Sequence, residues 1–195
     1  MIDISPLRNF VIGMTSLADT CDGDEPAMIS GARDLLAKLV ARDDWLPQEY
    51  SLEGKTYRQY LLHCDPKQRF SVVSFVWGPG QTTPVHDHMV WGLIGMLRGA
   101  EIGQRFSLDG DRPMIAGEED VLEQGGVDVV SPRLGDVHKV SNAHADRTSI
   151  SIHVYGANIG AVNRHVFDPS TGASKAFISA YSNETTPNLW NLSGS

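Results

Sequence analysis

The sequence predicts a mainly β protein, a barrel of short strands with helices packed outside it. Three observations carry that prediction. Glycine and proline supply 19 and 10 of the 195 residues, which suits a chain of many turns better than a helix bundle. From Arg69 onward, short runs rich in β-branched and aromatic residues stop at turn signals such as Gly78-Pro79-Gly80 and Asp109-Gly110-Asp111. Within that texture His86 and His88 stand two apart, and residues two apart on a strand share a face. Their imidazoles can meet at one point, where His138 on a later strand adds a third. Three neutral imidazoles suit a borderline transition metal such as iron, zinc, copper or nickel.

The elements follow in order within one domain, residues 1–195. Residues 1–65 read as mainly helical, 66–170 as the barrel, and 171–195 as an irregular tail draped over the surface. Pro26 to Trp45 sets Ile29, Leu35, Leu36, Leu39 and Val40 on one apolar stripe, with Asp24 ahead of it and Glu25-Pro26 suited to a first turn. An acidic loop, Asp19 to Glu25, precedes this helix as solvated surface, and Gly54 separates it from a shorter helix around Thr56–Leu62. Strands are expected at Phe70–Trp77, Thr82–Val90, Gly92–Leu97, Ala100–Leu108, Val127–Ser131, Val137–Val140, Thr148–Tyr155 and Asn163–Asp168.

At 41% hydrophobic the chain can bury a proper core. A net charge of −8, without a concentrated Lys/Arg tract, argues against nucleic acid or an anionic membrane as partner. Cys21 and Cys64 are too few and too far apart for a disulfide framework, and read as reduced thiols. The first residues lack the basic leader and apolar run of a secretory signal, and no apolar segment is long enough to span a bilayer. The expectation is a cytoplasmic protein acting on small molecules.

The histidine spacing resembles the two cupin motifs. Gly80, five residues, His86-Asp87-His88, three residues, Gly92, six residues and Gly99 follow the first. Gly126, five residues, Pro132, then Gly135-x-x-His138-x-x-x-Asn142 follow the second, with one residue inserted before Gly135. Many cupins carry a glutamate ligand where this chain has Gly92. Three imidazoles without a carboxylate leave the metal its full charge, which favours an anionic ligand such as a thiolate and leaves several coordination positions open. Asp87, pointing away from its neighbours, reads as a structural hydrogen-bonder, and His63, His144 and His165 as structural or surface residues.

In Ser151-Ile152-His153-Val154-Tyr155 the three polar residues share one face. Alone, that pattern reads as an amphipathic strand with its polar side in water. Beside a metal barrel it can form an inward relay, with Ser151 orienting His153 and His153 fixing the Tyr155 hydroxyl near the metal.

From about Tyr57 to Asp168 the sequence resembles the bacterial thiol dioxygenases related to cysteine dioxygenase. The residues that carry the resemblance are Phe75 to Gly80, Pro84 to His88, Gly135 to His138, and Ser151, His153 and Tyr155. These enzymes use Fe(II) and O2 to convert a small thiol to its sulfinate. The resemblance implies iron ligation by His86, His88 and His138, with outer-sphere roles for Ser151, His153 and Tyr155. Mammalian-type members have a cysteine after the His-x-His that is cross-linked to the tyrosine; Trp91-Gly92-Leu93 excludes that link here. They also hold the cysteine carboxylate with an arginine, and in Tyr57-Arg58-Gln59-Tyr60 that position aligns with Gln59. Gln-type members resemble 3-mercaptopropionate dioxygenases, which implies Arg164 as carboxylate holder and substrate contacts from Gln59 and Tyr57. Aligning Arg58 instead favours L-cysteine. Two other classes stay open: a non-oxidative metal cupin using His153 or Tyr155 as base, and a non-catalytic binding protein.

Overall fold

The computed structural model describes residues 2–110 and 112–191. Two helices, α1 (Ser5–Cys21) and α2 (Glu25–Val40), precede twelve described strands. Those strands are β1 (Arg58–Cys64), β2 (Ser71–Trp77), β3 (Val85–His86), β4 (Gly92–Arg98), β5 (Ala100–Asp109) and β6 (Arg112–Ile115), then β7 (Asp120–Glu123), β8 (Val127–Val130), β9 (His138–Asn142), β10 (Ser149–Tyr155), β11 (Arg164–Phe167) and β12 (Ser174–Phe177). They form two antiparallel sheets, one ordered β1-β2-β10-β4-β8 and the other β12-β11-β3-β9-β5-β6, with β7 on β5.

The α2 helix starts where its sequence dictates. Asp24 lies outside the helix in extended conformation, and its carboxylate accepts from the Ala27 N–H at 3.2 Å. The helix ends at Val40, short of the expected Trp45, because the Trp45 indole turns back and donates to the carbonyls of Leu39 and Arg42, each at 3.0 Å. The bond to Leu39 satisfies a carbonyl that the helix end leaves unpaired.

The five-stranded sheet is buried on both faces, and β2 and β10 are buried at all seven positions. Its outer face, including Val72, Val76, Leu93, Ile150, Ile152 and Val154, packs with Leu7, Phe10, Met14, Leu36 and Leu39 of the helices. Its inner face carries Val73, Phe75, Trp77 and Tyr155 into the barrel. Gly95 of β4 lets α2 approach closely, since a Cβ there would lie 2.8 Å from Leu36 Cγ and 2.9 Å from Val40 Cγ1. Gly95→Ala is therefore expected to cost about 1–3 kcal/mol by overpacking, read as a lower denaturant midpoint at unchanged slope.

Several expectations need correction. The segment Thr56–Leu62 is not helical: Arg58–Cys64 forms β1 on the edge of the sheet, where pairing with β2 overrides a local pattern that fits either structure. The acidic stretch Asp19 to Glu25 is not all loop: α1 runs through Asp19 to Cys21, α2 begins at Glu25, and Asp19 pairs with Arg69 at 2.6 Å. The strand expected over Thr82–Val90 is only Val85–His86, plus an isolated bridge at Thr82. The tail is not wholly irregular. Ser174–Phe177 pairs with β11, and beyond it the chain protects the free edge of β1. There Ser182 N–H donates to the Gln59 carbonyl at 2.7 Å and Asn183 makes two hydrogen bonds with the Leu61 backbone. Arg112–Ile115 and Asp120–Glu123 are further strands without a sequence expectation. Cys21 and Cys64 are free thiols, and no described helix is long and apolar enough to cross a membrane.

Candidate functional site

Two strands and the loop after the first bring the histidines together. His86 of β3 is the direct register partner of His138 of β9, and His88 follows two residues after His86. The three rings sit with centroids 4.8–4.9 Å apart, and one nitrogen from each lies within 4.8 Å of the others. Such a group could hold a metal ion.

Other atoms fix which nitrogens face inward. His88 Nδ1 lies 2.9 Å from Asp136 Oδ1, while Asp136 Oδ2 accepts from the backbone N–H groups of His88 and Met89 at 2.9 and 2.8 Å. His86 Nδ1 lies 3.1 Å from the Pro84 carbonyl. Both rings are thus oriented by Nδ1, which leaves Nε2 for the centre. Burial favours neutral Asp136, yet the hydrogen bonds from His88 outweigh it and hold the carboxyl below its ordinary value. Desolvation, and then repulsion from the His88 ring, push His86 down to about 3 and His138 well below its ordinary range. Neutral imidazoles are the form a metal binds, so the donor set fits a borderline transition metal.

The second inward group lies on β10. Ser151, His153 and Tyr155 are buried. His153 Nε2 is 2.9 Å from Ser151 Oγ, and His153 Nδ1 is 2.8 Å from the Tyr155 hydroxyl. Tyr155 in turn stacks on His88, with centroids 5.6 Å apart. Reading this strand as an exposed amphipathic one is therefore overturned: its polar face looks into the barrel.

A third group completes the wall. Val166 pairs with His86, so Arg164, two residues earlier on β11, shares the face of the His86 ring. Arg164 is only 3% exposed. Its guanidinium sits 4.7 Å above the Phe177 ring and donates to Ser179 Oγ, yet its Nε is buried without a hydrogen-bond partner. Tyr57 stacks against Phe75 and Trp77 with centroids 6.0 and 5.2 Å apart, and Phe75 stacks on His153 at 4.1 Å. Gln59 pairs with Phe75 and is half-buried on that inward face, whereas Arg58 pairs with Val76, points to the opposite face and is exposed. Arg58 therefore stands apart from the histidines and from Arg164.

Residues 44–169 match the family model of cysteine dioxygenase type I. The chain belongs to the cysteine dioxygenase type I family. Membership points to a metal-dependent thiol dioxygenase activity with O2 as co-substrate, and the three-histidine cluster fits the metal it needs. Solved structures similar to this family member include an uncharacterized conserved protein with a double-stranded β-helix domain from Klebsiella pneumoniae, at 17% identity, 61% coverage of this chain, 86% of that chain and TM-score 0.47. A cupin-like protein from Thermotoga maritima has 18% identity, coverages of 66% and 84%, and TM-score 0.43. A Cupin 2 conserved barrel domain protein from Salinispora arenicola has 18% identity, coverages of 58% and 86%, and TM-score 0.43. The two antiparallel sheets with helices outside them match the mainly β architecture expected from the sequence.

Within this cysteine dioxygenase family member, Gly92 pairs with Tyr155, and a Cβ there would lie 2.9 Å from Tyr155 Cδ1. The glycine thus leaves the tyrosine ring room as well as removing a carboxylate from the site. Asp87 makes two bonds to His165, one to its N–H at 2.7 Å and one to its Nδ1 at 2.8 Å, away from the cluster. Sequence reasoning missed three members of the surroundings: Asp136, Glu101 and Trp77. Glu101 accepts from Ser151 Oγ, and the Trp77 indole donates to the same oxygen at 3.2 Å. The available signals were an acidic residue inside the Gly135–His138 motif, and a glutamate within the small and apolar run Gly99-Ala100-Glu101-Ile102-Gly103.

Proposed function

We propose that this protein is an Fe(II)-dependent thiol dioxygenase that oxidises 3-mercaptopropionate with O2 to its sulfinate, as a cytoplasmic enzyme made of one cupin domain. The observation that carries the substrate reading is Arg164, a buried guanidinium with an unpartnered Nε on the same barrel face as His86. A buried guanidinium calls for an anion, and a carboxylate can take two parallel hydrogen bonds from it.

His86, His88 and His138 are the residues that would hold iron through three neutral imidazoles. Iron held there supplies a Lewis-acidic centre for the thiolate and the redox chemistry that activates dioxygen. Arg164 anchors the carboxylate end, so the sulfur is positioned by its distance from that anchor. Tyr57, Phe75 and Trp77 form an aromatic wall that excludes water from the reacting centre, and Gln59 adds a polar side chain at its edge. This apolar lining suits the bare methylenes of 3-mercaptopropionate better than the ammonium of L-cysteine. Tyr155, held by His153 and stacked on His88, presents its hydroxyl oxygen to the sulfur or oxygen end.

The test is oxygen uptake by anaerobically iron-loaded protein with three thiols. 3-Mercaptopropionate is expected to give the highest kcat/KM and a sulfinate product. L-Cysteine as the preferred substrate would overturn the substrate reading. Inactivity with every small thiol would overturn the dioxygenase reading and favour a non-oxidative cupin. A second expectation concerns Asp136, which orients His88. Asp136→Asn is expected to weaken metal affinity about 10–100-fold, measured by competition with a chelator, while the barrel stays folded.

A further inference from the structure

The hydrogen-bond chain behind Tyr155 continues past Ser151 to a buried carboxylate. Ser151 has one proton and gives it to Glu101 Oε1, while the Trp77 N–H donates to the same Oγ at 3.2 Å. The Ser151 oxygen must then accept from His153, whose Nε2 lies 2.9 Å away. That places the His153 proton on Nε2 and leaves Nδ1 to accept from the Tyr155 hydroxyl at 2.8 Å. In this arrangement the Tyr155 proton is engaged by His153. The Tyr155 oxygen therefore turns lone pairs, not a proton, toward the site.

A proton on Glu101 reverses the whole chain. Glu101 then donates to Ser151, Ser151 to His153 Nε2, and His153 Nδ1–H to the Tyr155 oxygen, whose own O–H turns to the site. The Trp77 bond fits both states, since Ser151 accepts two hydrogen bonds and donates one in each. Glu101 is 3% exposed, and burial raises its carboxyl to about 7, with the bonds from Ser151 and Trp77 acting against that rise. It also lines a cavity of about 180 Å³ together with His138. The charged or titratable groups around that cavity are Asp128 of β8, Asp120 of β7, Arg105 of β5 and His138 of β9. Val121, at its outer lining, is 59% exposed. Glu101 thus joins a buried hydrogen-bond chain to a cavity that reaches the surface.

We propose that Glu101 is a positioning residue whose charge state sets the polarity of the Ser151–His153–Tyr155 chain, and that the chain carries the substrate's thiol proton from Tyr155 to Glu101. The second half rests on the thiol-dioxygenase reading above. The transfer balances without an electron changing hands. The thiol proton passes to the Tyr155 oxygen, the Tyr155 proton to His153 Nδ1, the His153 Nε2 proton to Ser151, and the Ser151 proton to Glu101. Four bonds to hydrogen break and four form, converting thiol and carboxylate into thiolate and carboxylic acid. The cavity that Glu101 lines, which also reaches His138 and the exposed Val121, then gives that proton a way out.

The test is the ring tautomer of His153, read by nitrogen-15 NMR on histidine-labelled full-length protein carrying zinc in place of a redox metal. In the unaltered protein the proton is expected to move from Nδ1 to Nε2 as pH rises through the Glu101 transition. In Glu101→Gln, which cannot ionise, one tautomer should persist at every pH, and Glu101→Asp should restore a pH response. A fixed tautomer in the unaltered protein overturns the proposal, and so does an identical titration in Glu101→Gln. If the Gln variant does not fold, the titration of the unaltered protein decides alone. With iron, Glu101→Gln should lose about a hundredfold in kcat while the KM for 3-mercaptopropionate changes far less; the opposite split contradicts a proton path. The tautomer is read without thiol or oxygen. A failed relay is therefore distinguishable from a failed dioxygenase, which shows as an unaltered protein that oxidises no thiol.

Discussion

His88→Ala protein is expected to fold, to be recovered with little bound metal, and to lack thiol-oxidising activity. The ring being removed carries a bond to Asp136 and one of the three inward nitrogens. The backbone N–H groups of His88 and Met89 still satisfy Asp136 Oδ2, so the loop keeps its main anchor. The fold should therefore survive at a cost of about 1–3 kcal/mol, typical of a single buried change. Metal affinity should fall by more than the hundredfold or so at the upper end for Asp136→Asn, because a ligand is lost and not just its orienter. Metal analysis after anaerobic iron loading, with circular dichroism as the check on folding, reads both effects. One iron per chain in His88→Ala would remove His88 from the ligand set.

Replacing Arg164 tests substrate recognition with comparable force. Arg164→Met keeps an apolar stem and removes the guanidinium, with its charge, its donors and its stacking on Phe177. A charge-assisted hydrogen bond contributes about 1.5–3 kcal/mol, so the KM for 3-mercaptopropionate should rise roughly tenfold to a hundredfold. Cysteamine has no carboxylate and should be oxidised equally by both proteins. Arg58→Met is the matched control: Arg58 is exposed on the opposite face of β1, and its loss should leave both substrates unaffected. An unchanged KM in Arg164→Met, or a raised one in Arg58→Met, would move the carboxylate site.

The parts of this molecule legible in its sequence are those set by local period and spacing. His86 and His88 share a face because strands repeat every two residues, and the glycines around them place the turns. The α2 helix was legible because Asp24 and Pro26 mark its start chemically. What escaped depends on partners distant along the chain. Tyr57-Arg58-Gln59-Tyr60-Leu61-Leu62 supports either period, and only β2 beside it makes it a strand. The strand at Ser174–Phe177 is short and mostly exposed, so its existence depends on β11. Glu101 meets Ser151 across 50 residues of sequence only because the barrel closes, and nothing in either strand alone announces the meeting. The Ser151 face shows the converse: alternation gave its three members, but whether it faced water or metal was decided by the second sheet.

The claim on which the rest depends is that both atoms of one dioxygen enter the substrate. Single-turnover reaction of iron-loaded protein with 3-mercaptopropionate under oxygen-18 gas, followed by mass spectrometry of the product, measures this directly. A sulfinate carrying two labelled oxygens is the result this account predicts. A disulfide, an unlabelled product or a single labelled oxygen would contradict it.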